Sequence, residues 1–309
     1  MQSRYISLLT DFGFKKLLGE EARMDLLVHF LNAMLPNQPP SKRVVLHPNE
    51  HRWETANERM AVFDLYASNE RGDRIILEVQ QKPKEHFKKR AVYYMIFPLA
   101  EQAEKGRAWG FNFQGVSLLS MLDFELERRL PDKYHHLVQF RYLEDDLVFL
   151  EEMTLVFVEL PKFTKQVNEL KTDLDRWLYL FRYLHHLDEI PETFKREPFM
   201  KLFQAAEIAK MSQAERAAYH ASLKRYRDYQ NQLAYADSQG QEQGRKEGRK
   251  EGRKQGREQG RLEVLEEGFK MGLDIRVLSG LVGMDLAKVL DRREAWLEQH
   301  SGECSACSQ

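Results

Sequence analysis

The residues best placed to do chemistry are two carboxylates, Asp64 in MAVFDLYAS and Glu78 in DRIILEVQQ, with Gln80 two positions further on. Both runs are rich in β-branched and aromatic residues, and Asn69-Glu70-Arg71-Gly72 between them has turn composition, so they are predicted to form a β-hairpin. Alternate residues of a strand share a face. Val62, Asp64 and Tyr66 are therefore expected on one side and Phe63, Leu65 and Ala67 on the other. On the returning strand Ile76, Glu78, Gln80 and Lys82 share a face, with Ile75, Leu77 and Val79 behind. A hairpin centred on Arg71 sets Asp64 directly opposite Glu78. Like charges opposed across a sheet cost something within the roughly 0.2–1 kcal/mol range of cross-strand pairs, and more when partly buried. A hard divalent cation removes that cost, because carboxylate oxygens are its preferred ligands and magnesium takes one or two of them. The plain alternative is two surface carboxylates on a polar sheet face. The shared register, the apolar flanks and Gln80 on the same face weigh against it.

Further candidates surround this pair. Asp11 and Lys15 lie one helical turn apart and read either as a cap with a surface charge or as an accessory pair at the rim of the site. Arg90 and Tyr94 share a helix face in the same way, and Arg90 can grip a phosphate bidentately or sit in a surface salt bridge. The pairs His135-His136 and His185-His186 are read as structural, since adjacent side chains diverge on helices and strands alike. No GxxxxGK[ST] loop occurs, so ATP-driven action is not supported.

The elements that must position these groups follow from periodicity. FKKLLGEEARMDLLVHFLNAML places Phe14, Leu17, Leu18, Leu26, Leu27, Phe30, Leu31 and Met34 at three- and four-residue steps, which predicts one long amphipathic helix capped by Thr10 or Asp11 and ended by Pro36, Pro39 and Pro40. RVVLH precedes the hairpin as a strand, Pro83 closes the hairpin, and a helical period runs from Lys84 to Gly106. VSLLSMLDFEL, HLVQFRYL and TLVFVEL read as strands, and from Phe163 the chain reads as helices to about Tyr235. This order describes a mixed α/β sandwich with a helical extension.

Beyond Ser238 the sequence repeats with period four, GQEQ GRKE GRKE GRKQ GREQ GR, with glycine at 240, 244, 248, 252, 256 and 260. Each glycine costs a helix about 1 kcal/mol relative to alanine, which favours a flexible charged linker. The other reading is an oligomerising helix, whose glycine groove lets a second helix approach closely. The net charge of −1 hides an uneven distribution: residues 240–261 hold eight Lys or Arg against four Glu, a local excess that phosphates would feel. Residues 262–300 read as two or three short helices broken at Gly272 and Gly283, resembling a small helix-turn-helix.

With 309 residues, 42% of them hydrophobic, there is enough chain for one sizeable core plus a smaller unit. The opening MQSRYISLLTDFGFKKLLG has no basic stretch followed by a long apolar run, so neither secretion nor membrane insertion is expected. The two cysteines, Cys304 and Cys307, form no disulfide framework and point to a reducing, cytoplasmic setting; as half a zinc site they lack a second pair.

Together, TDFGFKKLLG, VFDLY, ILEVQ, RAVYY, ELPKF and the glycine-rich charged repeats, in that order, resemble the recombination-promoting nuclease and transposase family of the PD-(D/E)XK nucleases over roughly residues 8–261. The resemblance implies a restriction-endonuclease-like core, a mixed central sheet flanked by helices, with a helical C-terminal extension. It also implies hydrolysis of DNA phosphodiesters with one or two Mg²⁺ ions, linked to recombination or transposition. Asp64 and Glu78 would be the metal ligands, and Asp64, Glu78 and Gln80 the catalytic set. Gln80 stands where the wider superfamily has lysine, and glutamine supplies no positive charge. That charge then falls to Lys82, Lys15 or Arg90. Trp109 stands where a tyrosine is expected, a packing variation. The expected organisation is a nuclease core over 1–160, a helical extension over 161–236, the repeat as linker or helix over 237–261, a small helical unit over 262–300 and a disordered tail over 301–309. DNA is the expected partner, with no membrane, and homo-oligomers would form through the repeat or the terminal helices. The rival reading is a catalytically inactive DNA-binding or assembly protein that keeps the nuclease fold.

Overall fold

A computed structural model describes residues 3–36, 38–51, 61–103 and 112–300; Trp109 and the cysteine-bearing tail lie outside the described residues. The chain divides into two compact units, Met1–Tyr229 and Gln230–Gln309.

The first unit opens with α1 (Asp11–Leu18), where the Thr10 hydroxyl accepts the Gly13 N–H as an N-cap. The single helix expected here is interrupted. A 3₁₀ turn (Glu21–Arg23) separates α1 from α2 (Met24–Met34). The break sits at Gly19, where a Cβ would come within 2.7 Å of the Leu65 side chain and 2.8 Å of the Lys15 carbonyl oxygen. The chain turns there to let a strand pass close, a constraint that helical periodicity does not carry.

The strands that follow are β1 (Val44–His47), β2 (Glu50–His51), β3 (Ala61–Val62), β4 (Leu65–Asn69) and β5 (Arg74–Gln80). After α3 (Phe87–Ala100) come β6 (Val116–Leu122), β7 (His135–Arg141) and β8 (Val148–Glu159). Six of them form one sheet in the order β1-β4-β5-β6-β8-β7, while β2 and β3 pair separately. The β4–β5 hairpin is antiparallel, and β5, β6 and β8 run parallel. Crossover connections cover both faces of such parallel strands, which accounts for the complete burial of VSLLSML in β6.

One face of the sheet, with Leu65, Ala67, Ile75, Leu77, Leu119 and Val156, packs on Phe14, Leu27 and Phe30 of α1 and α2 and on Trp177 and Phe181 of α4 (Asp173–Tyr183). Tyr66, Ile76, Leu118 and Phe157 on the other face pack on Phe87, Ala91 and Met95 of α3. This is the mixed α/β sandwich that the order of elements predicts. The helix expected from Phe163 starts only at Asp173, where Thr172 and Asp175 form a reciprocal capping box. With α5 (Phe199–Ala206), α4 shares the core of the sheet.

The repeat differs from the favoured linker reading: α6 (Gln213–Lys270) is one helix that starts in the first unit and continues through residues 240–261 into the second. Nucleation is the costly step in helix formation, and the alanine- and charge-rich turns ahead of the repeat have already met it. Within the repeat, Lys246 pairs with Glu242 at 2.6 Å, one turn away. In the second unit α7 (Ile275–Val282) and α8 (Leu286–His300) follow, broken where predicted: Gly272 and Gly283 both have positive φ. Leu265, Phe269, Leu278, Val282 and Val289 make a small core of its own. Among the described residues, no helix is long and apolar enough to cross a membrane.

Candidate functional site

The hairpin has the register centred on Arg71 that the sequence predicts, with Leu65 opposite Leu77, Tyr66 opposite Ile76, Ala67 opposite Ile75 and Ser68 opposite Arg74. The next pair outward is Asp64 and Glu78. Here the chain bends out of the ladder, between β3 and β4, and strict alternation fails with it. Phe63, expected behind the sheet with Leu65 and Ala67, packs instead with Tyr66 and Ile76 on the α3 side.

The bend brings the Glu78 carboxylate to the backbone of Asp64 and the Asp64 carboxylate to the backbone of Val79, the residue after Glu78. Asp64 Oδ2 accepts the Val79 N–H at 2.7 Å, and the Asp64 N–H points at Glu78 Oε1 at 3.4 Å. Glu78 is only 5% exposed and Gln80 7%. Gln80 Nε2 donates to Glu78 Oε2 at 2.7 Å, and Gln80 Oε1 accepts from the Arg90 guanidinium at 2.9 Å. Both ends of the Gln80 amide are therefore engaged, and it holds the Glu78 carboxylate in place. Arg90 lies over the rings of Tyr94 and Phe87, at 5.5 and 5.7 Å, and Tyr94 packs edge-on against Phe63. A chain of contacts thus fixes the pair from β5 back to α3.

Electrostatically the pair is under stress. Burial, reinforced by the charge on Asp64, pushes the Glu78 carboxyl up to about 8. Burial also raises Asp64, against the Val79 N–H and the nearby Lys15 that favour its carboxylate. Two carboxylates packed so that they cannot comfortably both be ionised are suited to a divalent cation. Asp64 and Glu78 offer hard oxygen donors of the kind magnesium prefers, so the residues present fit such an ion. They are a pair, however: among the described residues no group of three or more His, Cys, Asp or Glu is placed to hold a metal.

Asp64 and Gln80 open onto a cleft of about 230 Å³, lined also by Asp11, Lys82 and Lys84. All eight sequence-derived candidates meet at this end of the sheet. Asp11 is held by Lys15 at 2.7 Å, one turn along α1. Lys82, expected on the face of β5, lies beyond the end of the strand, and its ammonium sits 5.3 Å from the centre of the Tyr229 ring.

Residues not anticipated adjoin the site. Gln81 Nε2 donates to the Leu9 carbonyl at 2.5 Å, and the Tyr226 hydroxyl donates to Asp123 Oδ2 at 2.8 Å. Lys84 lines the cleft with Glu78 and Asp64 in electrostatic reach. Strand alternation could not have found it, because Pro83 ends the periodic pattern just before it. The histidine pairs lie elsewhere: His136 meets buried Glu159 at 2.7 Å, and His135 meets the Met34 carbonyl at 3.0 Å. His185 and His186, expected to diverge, have ring centres 3.9 Å apart because they sit in a 3₁₀ turn.

The family model described as PD-(D/E)XK nuclease family transposase matches residues 8–236, which contain every residue of this site. No curated protein and no solved structure matches the chain.

Proposed function

The chain belongs to the PD-(D/E)XK nuclease family transposases, and on that premise we propose that it is a magnesium-dependent DNA endonuclease acting in the cytoplasm in recombination or transposition. The observation that carries this reading is the pairing of buried Glu78 with half-buried Asp64, whose mutual repulsion has no structural use and is relieved by a cation. Magnesium held by these two carboxylates supplies Lewis acidity toward a phosphodiester when bound. The rest falls to the chain. Gln80 and Arg90 keep Glu78 aimed, the Val79 N–H keeps Asp64 aimed, and the cleft admits the phosphate beside them. Water adds to phosphorus, the P–O bond to one flanking sugar breaks, and the departing oxygen takes up a proton.

The exposed cations of residues 245–261 add sequence-independent attraction to DNA, a term that weakens as salt rises. Asp64→Asn and Glu78→Gln test the reading by nicking of supercoiled plasmid in magnesium. Each is expected to cut at least roughly 10³-fold more slowly, in line with the several kcal/mol such an ion contributes, while melting no lower than wild type. Nicking at the wild-type rate by either variant removes the assignment.

A further inference from the structure

The charge that Gln80 does not bring has to come from elsewhere in the cleft, and the structure narrows the choice. Three cations suggested themselves from the sequence, and each is committed. Lys15 is paired with Asp11 at 2.7 Å. Lys82 rests on the Tyr229 ring. Arg90 donates to Gln80 at 2.9 Å and lies over two aromatic rings. Lys16, the next cation along α1, is paired with Glu215 at 2.5 Å. Lys84 differs from all of them. Its side chain is exposed and lines the cleft beside Asp64 and Gln80, and its ammonium makes no hydrogen bond or ion pair with any described residue. Its backbone is nonetheless fixed, since Pro83 precedes it and its carbonyl accepts the Phe87 N–H at 3.2 Å at the start of α3.

An anchored backbone with an uncommitted ammonium lining the cleft that holds Asp64 suits a ligand that is itself anionic and arrives from solvent. We propose that Lys84 is the phosphate-contacting residue of this site, its ammonium meeting a non-bridging oxygen of the phosphodiester seated beside Asp64. The assignment rests on the nuclease reading above for its chemistry, but the contact with phosphate can be measured without cleavage. Lysine contributes as a compact point charge, so a guanidinium at the same place retains most of the effect.

The test uses the full chain with Lys84→Met and Lys84→Arg, and Lys89→Met, an exposed α3 lysine outside the cleft lining, as the control. Plasmid nicking in magnesium should fall roughly 100-fold in kcat/KM for Lys84→Met, recover most of that loss in Lys84→Arg, and change little for Lys89→Met. Affinity for a short DNA duplex, measured with calcium in place of magnesium, should show a salt slope smaller by about 1 for Lys84→Met. Mn²⁺ affinity of Lys84→Met should equal or exceed that of wild type, because a neighbouring positive charge has been removed. Wild-type kcat/KM and salt slope in Lys84→Met overturn the assignment and leave the nuclease reading standing. A loss of Mn²⁺ affinity also overturns it, by placing Lys84 in the cation-binding architecture. If wild type and variant both fail to cut while their salt slopes still differ by about 1, the nuclease reading falls and the phosphate contact stands.

Discussion

Glu78 and Arg253 are both charged side chains on regular elements, yet the sheet unit buries one while the helical unit displays the other. Around Glu78, every neighbour is engaged: Asp64 on the Val79 N–H, Gln80 between Glu78 and Arg90, Arg90 over Tyr94. Along the repeat the six glycines have open space where a Cβ would stand, and the cations on the same helix are exposed. Geometry accurate enough for chemistry needs the first environment, because low dielectric and dense packing fix both position and protonation. Long-range attraction for a polyanion needs only the second, because it depends on local charge density.

The contrast is sharpest in what removal of a side chain costs. Trp177 is fully buried between α2 and α5, in ring contact with Phe30 and Phe199. Trp177→Ala should destabilise the sheet unit by about 3–5 kcal/mol. Calorimetry should show that loss in one transition while the helical unit, with its separate core, melts as before; a single shared transition lowered throughout would break the comparison.

Next in size is the dependence of stability on pH. Glu78 titrates near 8 in the folded chain and at an ordinary value of about 4.3 when unfolded. Between those values the native state holds a proton that the unfolded state has released, so metal-free stability should fall as pH rises through the window and level off above it. The total is on the order of a few kcal/mol, shared with Asp64. Glu78→Gln should flatten the slope and raise stability near pH 8 in denaturant titrations. An unchanged slope would show that the strain at the pair is not what the geometry indicates.

The smallest effect lies in the repeat. Gly252→Ala meets nothing within 4 Å and should stabilise the helix by about 1 kcal/mol, seen as higher helicity at elevated temperature, with DNA affinity unchanged. Lower helicity would mean that another chain occupies the glycine face.

Much of this was legible in advance because it depends on local order. The turn at Asn69–Gly72 and the alternation on either side fix which residue faces which, so Asp64 and Glu78 could be paired from the sequence. What was not legible arises from distant contacts. Gly19 breaks a helix because Leu65 needs the space, and Phe63 changes face because the ladder ends at Asp64. Gln80 is occupied at both ends because Arg90 reaches it from another element. Lys84 follows a proline, where periodicity has nothing to say. The helix through the repeat depends on what precedes it: its glycines disfavour a helix in isolation, but a formed helix runs into them.

The first turns of α6 bear on how this unit comes into being during synthesis. Tyr219 accepts the Ser7 N–H, Ser222 accepts the Phe12 N–H and Glu215 binds Lys16, so partners made some two hundred residues apart meet around α1. Tyr226 and Tyr229 then reach Asp123, whose N–H donates to the Gln80 carbonyl, and Lys82, which lines the cleft. The hairpin carrying both carboxylates and the residues lining the cleft all lie within residues 9–84, but the contacts that brace α1 and Lys82 come only with the last turns of the unit. A nascent chain therefore carries Asp64, Glu78 and the cleft lining long before it has the helix that braces them, and the order of synthesis postpones the finished site to the final stretch of the sheet unit.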